Sequence, residues 1–165
     1  MIGWMLVLLL LAAFTAPSSG VPQEAVSLDQ GVTMTPVEGW VSAADVWDVG
    51  PGAVSLRRSG VLVAFAADAF AGTAQELLDE QLTGLRDQFE SLSALPPAAT
   101  TIAGGVPALK TLFSGTAQSG RLEGELVVVA SGGTGVVMLA VAPPGQVGQV
   151  QSDLDAMLDS VVLPQ

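Results

Sequence analysis

Carboxylates are the side chains with the numbers to do chemistry here: sixteen Asp and Glu stand against five Lys and Arg, with no His, Cys or Tyr. Glu123 and Glu125 lie two apart in an apolar run, so on a strand both point to the same side. Such a pair performs acid–base work when its surroundings push the two pKa values apart. On a strand edge the plainer reading is a solvated pair, and the residues favour it. Asp155 and Asp159 are four apart in a helical stretch. That spacing suits either a shared metal cage or charge on an exposed face, and it carries no D-x-[DN]-x-[DN]-G calcium loop. Absence of His removes the ordinary Ser-His-Asp triad, and absence of Cys removes thiolate nucleophiles, disulfides and zinc–thiolate sites. No catalytic residue, metal ligand or cofactor is expected.

Recognition is better served than catalysis. Arg57 and Arg58 form the densest basic spot in an acidic chain, and Arg docks carboxylates through two parallel hydrogen bonds. Strand alternation points the two in opposite directions, which favours separate structural ion pairs. Trp40 and Trp47 are the aromatic candidates for a partner or ligand contact, with core packing as the alternative for each. Trp40, Trp47, Arg57 and Arg58 are therefore the expected contact residues. The glycine-rich Ser131-Gly-Gly-Thr-Gly135 lacks the Lys-Ser/Thr pair of a phosphate loop and joins two strands, so it reads as a hairpin turn.

The elements that must hold these residues fit one domain. Half of the chain is hydrophobic and 13% is charged, a composition that builds a core without staples. A net charge of −11 repels phosphate backbones and anionic headgroups, which excludes nucleic acid and leaves the N-terminal segment as the only membrane contact. That segment, Ile2 to Ala16, is apolar almost without break and is followed by small residues at Ala16 to Gly20. Its length suits the hydrophobic region of a signal peptide. No basic residue precedes it; a start upstream of Met1 would supply one and make the run the end of a membrane anchor. Residues 1–20 are thus expected to be a signal peptide or anchor, with 21–165 a domain working outside the cytoplasm, secreted or tethered.

Beyond the linker, two short strands flank an Asp29-Gln30-Gly31 turn, and Ala53–Arg57 and Val61–Ala67 read as further strands. The near-continuous apolarity of the latter places it centrally with both faces covered. Thr73-Ala-Gln-Glu76 fits a capping box, and Leu78, Leu82, Leu85, Phe89 and Leu92 continue a helical stripe to the Pro96-Pro97 stop. A strand over Ala108–Phe113 and two more over Leu122–Ala130 and Gly135–Ala142 make a meander, and Pro143-Pro144-Gly145 ends it. Val147, Val150, Leu154, Met157 and Val161 mark a closing amphipathic helix. The fold class expected is α+β, a single antiparallel sheet flanked by two amphipathic helices.

Short motifs add a family likeness. Pro36-Val-Glu-Gly-Trp40, Ile102-Ala-Gly-Gly-Val-Pro-Ala108, Gly120-Arg-Leu-Glu-Gly-Glu-Leu-Val-Val-Val129 and Met157-Leu-Asp-Ser-Val-Val162 resemble the PsbP-like fold, which includes photosystem extrinsic proteins and the DcrB-like bacterial envelope proteins. The likeness runs from about Ala25 to Val162. It implies a sheet with flanking helices and a binding or assembly role without a common catalytic residue. The family's photosystem-specific metal-binding His residues have no counterpart in this His-free chain. The reading that results is a non-catalytic envelope or secreted binding domain, taking an envelope protein or a small hydrophobic ligand. A carboxylate-dependent enzyme and a structural subunit of a membrane complex are the alternatives.

Overall fold

The computed structural model describes residues 24–165; the apolar run and the boundary expected at residue 20 lie outside the described residues. No helix among the described residues is long and apolar enough to cross a membrane. The chain order is β1 (Val26–Ser27), β2 (Thr33–Met34), β3 (Val41–Ser42), β4 (Ala53–Arg58), β5 (Val61–Ala69), α1 (Ala74–Gln88), β6 (Ser91–Ala94), β7 (Ala98–Ile102), β8 (Val106–Ala117), β9 (Gly120–Ser131), β10 (Thr134–Ala142) and α2 (Gln151–Asp159). A 3-10 turn over Val147–Val150 leads into α2.

The strands form two sheets, which corrects the expectation of one. An eight-stranded antiparallel sheet runs β3-β4-β5-β10-β9-β8-β6, with β7 also on β8, while β1 and β2 pair with each other as a separate two-stranded sheet and Thr33 of β2 bridges to Val162. The separation has a local cause. Gln30 and Gly31 both have positive φ in the turn between β1 and β2, so the chain doubles back after two residues per strand. That ribbon lies against the large sheet's core through Leu28, Val32 and Met34.

Central position follows from sequence as expected. Val61 to Ala67 of β5 and all nine residues of β10 are buried. Side-chain alternation divides their apolar residues between two cores. Phe65, Val127, Val129, Met138 and Ala140 face α2, whose Leu154, Met157 and Leu158 complete that core with the N-terminal ribbon. Leu62, Ala64, Leu126, Val128, Val137 and Leu139 face α1, which contributes Leu77, Leu78, Leu82 and Leu85. The layers are therefore helix, sheet, helix. Each fully buried Leu or Met contributes about 1.5–3 kcal/mol, so packing and not propensity holds a helix as short as α2.

α1 begins where the capping box predicts. The Glu76 amide donates to the Thr73 hydroxyl at 3.2 Å, and the Thr73 amide donates to the Glu76 carboxylate at 2.7 Å. Its end does not follow the stripe. The helix stops at Gln88, Phe89 is extended, and the Glu90 amide donates to the Thr116 carbonyl, so Leu92 belongs to β6. The reason is on β8: the Phe89 ring occupies the space over Gly115, where even a Cβ would meet the ring 2.7 Å away. Phe113 fills the equivalent space over Gly124 and meets Phe89 edge to face at 6.0 Å.

β6 and β7 are one edge strand interrupted by Pro96-Pro97. Ala94 pairs with Phe113 and Ala98 with Lys110, so three residues on one side oppose two on the other. This is a β-bulge. The Thr111 hydroxyl donates to the Leu95 carbonyl at 2.6 Å and holds the bulge to β8.

Candidate functional site at the open end of the sheet

Register aligns one row of side chains across the α2 face: Leu56, Val63, Ala140, Glu125, Leu112 and Leu95. Burial fades along it. Leu56, Val63 and Ala140 lie under α2, whereas Leu112 is 44% exposed and Leu95 is 60% exposed. Glu125 stands at the boundary with its side chain wholly buried. The Lys110 ammonium lies 3.0 Å from Glu125 Oε2, an ion pair lacking the alignment of a hydrogen bond. Gln151 at the start of α2 donates from Nε2 to Glu125 Oε1 at 3.3 Å and to Asp155 Oδ1 at 3.0 Å. A buried carboxylate is tolerable only with such partners, because desolvating a lone charge costs several kcal/mol.

Around this boundary the face turns polar. Ser93 and Ser114 pair across β6 and β8, Glu123 opposes Ser114, and Arg121 opposes Thr116. Glu123 is held in turn: its Oε1 accepts from the Gly145 amide at 2.8 Å, tying β9 to the chain that leads into α2. Glu123 and Glu125 do share one side, as their spacing predicts, but Glu125 is not solvated. Chemically the arrangement is an open surface with two adjacent leucines, two serines and an ion-paired carboxylate. It can bind; no cluster of three or more acidic ligands for a metal ion occurs among the described residues.

The four contact residues expected from sequence lie elsewhere. Trp40 is fully buried in the α2 core and Trp47 in the α1 core. Trp40 Nε1 donates to Asp153 Oδ2 at 3.0 Å. Arg58 Nη1 donates to the same oxygen at 2.7 Å and to the Glu38 carbonyl at 3.1 Å, so the Pro36–Trp40 turn, β4 and α2 meet there. Gly39 has φ of +88°, and its missing side chain leaves room for the Arg58 guanidinium. Arg57 points the other way and pairs with Asp45 at 3.2 Å on the surface. The structure brings Trp40 and Arg58 together and leaves Trp47 and Arg57 separate from them.

Leu95, Leu112 and Lys110 were not singled out by sequence reasoning. One signal was available: Glu125 falls on the face that also carries Val127 and Val129, so a carboxylate interrupts an apolar alternation. For Leu95 there was none, since the Ala-Leu-Pro-Pro run reads as a helix stop and not as a bulge.

No protein-family model matches the chain, and no curated protein matches it by sequence. Solved structures do match. The chain is similar to the cyanobacterial PsbP, CyanoP, of Synechocystis sp. PCC 6803, with a TM-score of 0.60 and 13% identity, over 92% of this chain and 98% of that one. It is similar to the Ran-binding protein Mog1p of Saccharomyces cerevisiae, with a TM-score of 0.54 and 15% identity over 85% and 94% of the two chains. It is also similar to a putative regulator of unknown function from Pseudomonas aeruginosa, with a TM-score of 0.53 and 14% identity over 80% and 97%. Identities this low carry fold and nothing further. At the level of fold, the PsbP-like resemblance read from the sequence is shown: a mostly antiparallel sheet covered by two helices.

Proposed function

We propose that this chain is a non-catalytic accessory domain that works outside the cytoplasm and binds a protein partner on the open end of its sheet. The carrying observation is the pair Leu112 and Leu95, side by side at 44% and 60% exposure on a strand face that neither helix covers. Adjacent apolar side chains on an otherwise polar rim are what protein interfaces use as anchors. The fold neighbour Mog1p is itself described as Ran-binding, which supports binding as a use of this scaffold without indicating the partner. Export rests on the apolar run Ile2 to Ala16.

Both parts have a test in cells producing the full chain. A photo-crosslinking residue at position 112 is expected to give a discrete protein adduct, and one at the exposed Asp48 is expected to lack it. Adducts of the same pattern from both positions, or none from position 112, would overturn the binding surface. Fractionation that recovers the full-length chain free in the cytosol would overturn export.

A further inference from the structure

The N-terminal ribbon and α2 are each too small to persist alone. Strands of two residues do not form a stable ribbon in water. α2 has nine residues, no side-chain cap at its N-terminus and Asp159 in place of a basic residue in its last turn, where negative charge opposes the helix dipole. Several of their polar contacts run to each other, beside others to the sheet such as Gly145 to Glu123 and Gln151 to Glu125. Thr33 and Val162 exchange backbone hydrogen bonds of 3.1 and 2.9 Å. The Thr35 amide donates to the Ser160 hydroxyl at 2.9 Å. Trp40 donates to Asp153, and Arg58 binds Asp153 and the Glu38 carbonyl together. Their apolar side chains share one core: Leu28, Val32, Met34 and Trp40 from one, Leu154, Met157, Leu158 and Val161 from the other.

We infer that residues 24–40 and 143–165 form a single lid that opens and closes over the sheet as one unit, latched at Asp153. Each part loses a share of its core partners and its hydrogen bonds to the other when the other leaves, which disfavours opening of one alone. Pro143-Pro144-Gly145, where Gly145 has φ of +85°, ends β10 and forms one hinge. Opening uncovers Phe65, Val127, Val129 and Met138, an apolar face in the middle of the sheet.

Hydrogen exchange followed by mass spectrometry on the full chain, across urea concentrations below global unfolding, tests this. The amides of Leu28, Thr33 and Val162 and those of α2 are expected to merge on one opening isotherm, below that of β5, β9 and β10. Asp153→Ala is expected to speed exchange in both parts by one common factor, about tenfold, with β10 unchanged. Separate isotherms for ribbon and α2, an Asp153→Ala effect confined to α2, or both parts opening only with the whole sheet would each overturn the inference. Should Asp153→Ala fail to fold, the urea series on the unaltered chain decides the matter.

Discussion

Replacing Lys110 by Met keeps the aliphatic stem against β9 and removes the charge that faces Glu125. The Glu125 side chain is wholly buried, and what remains to it is the Gln151 amide at 3.3 Å. Breaking a fully buried ion pair by deleting one partner costs about 3–5 kcal/mol, because the other charge is stranded. Lys110 is 30% exposed, so water reaches the pair from the open side and about 2–3 kcal/mol is the reasoned loss for Lys110→Met. Glu125→Leu strands an ammonium that can turn to solvent and should cost about 1 kcal/mol. The double variant is expected near the parent, since Ala140 and Leu112 flank the site with apolar surface. Urea melts of the four chains close the cycle, with coupling of about 3–4 kcal/mol and a Lys110→Met midpoint lowered by about 1–2 M. A Lys110→Met loss within about 0.5 kcal/mol, the range of solvent-exposed pairs, or strict additivity in the double variant would refute the reasoning.

Three further outcomes follow from the packing and the helix cap. Gly124→Ala places a Cβ within 2.5 Å of the Ala140 carbonyl oxygen and against the Phe113 ring, so a loss of about 2–3 kcal/mol is expected in thermal or urea melts. Its counterpart Gly84→Ala, on α1 with open space around it, should instead be neutral or stabilising by up to about 1 kcal/mol. At α1 the Thr73 amide and hydroxyl hold the Glu76 carboxyl below its ordinary value. The cap's contribution is therefore present above the ordinary glutamate pKa of about 4.3 and lost as pH falls through the lowered one. NMR titration should show the Glu76 value rising toward the ordinary one in Thr73→Ala.

Periodicity made the interior of this fold legible and its margins illegible. β5 and β10 carry runs of apolar residues that only a central, doubly covered strand needs, and the Thr73–Glu76 cap marks the start of α1 by its own hydrogen bonds. Leu92 shows the limit. It continues the helical spacing from Leu85 and Phe89, and it also fits the alternation of a strand; what decides is the space over Gly115, twenty-three residues on, which no local pattern displays. β7 was hidden for a related reason, since Pro96-Pro97 signals an end and here marks an extra residue. The open end of the sheet was illegible because exposure there depends on where α2 stops, a distance set by tertiary packing. Arg57 and Arg58 could be assigned to opposite faces from alternation alone, yet their partners Asp45 and Asp153 lie twelve and ninety-five residues away.

Pro96 and Pro97 stand where a growing sheet would add its next strand. Neither has an N–H to offer, and the extra residue beside them bends β6 out of line with β7. A second chain laid along this border meets no more than four regular residues in β6 or five in β7 before the pairing breaks. At the opposite border β3 supplies two. Both borders thus disfavour growth by strand addition, which guards a half-hydrophobic chain with twelve-residue strands inside its sheet against cross-β stacking.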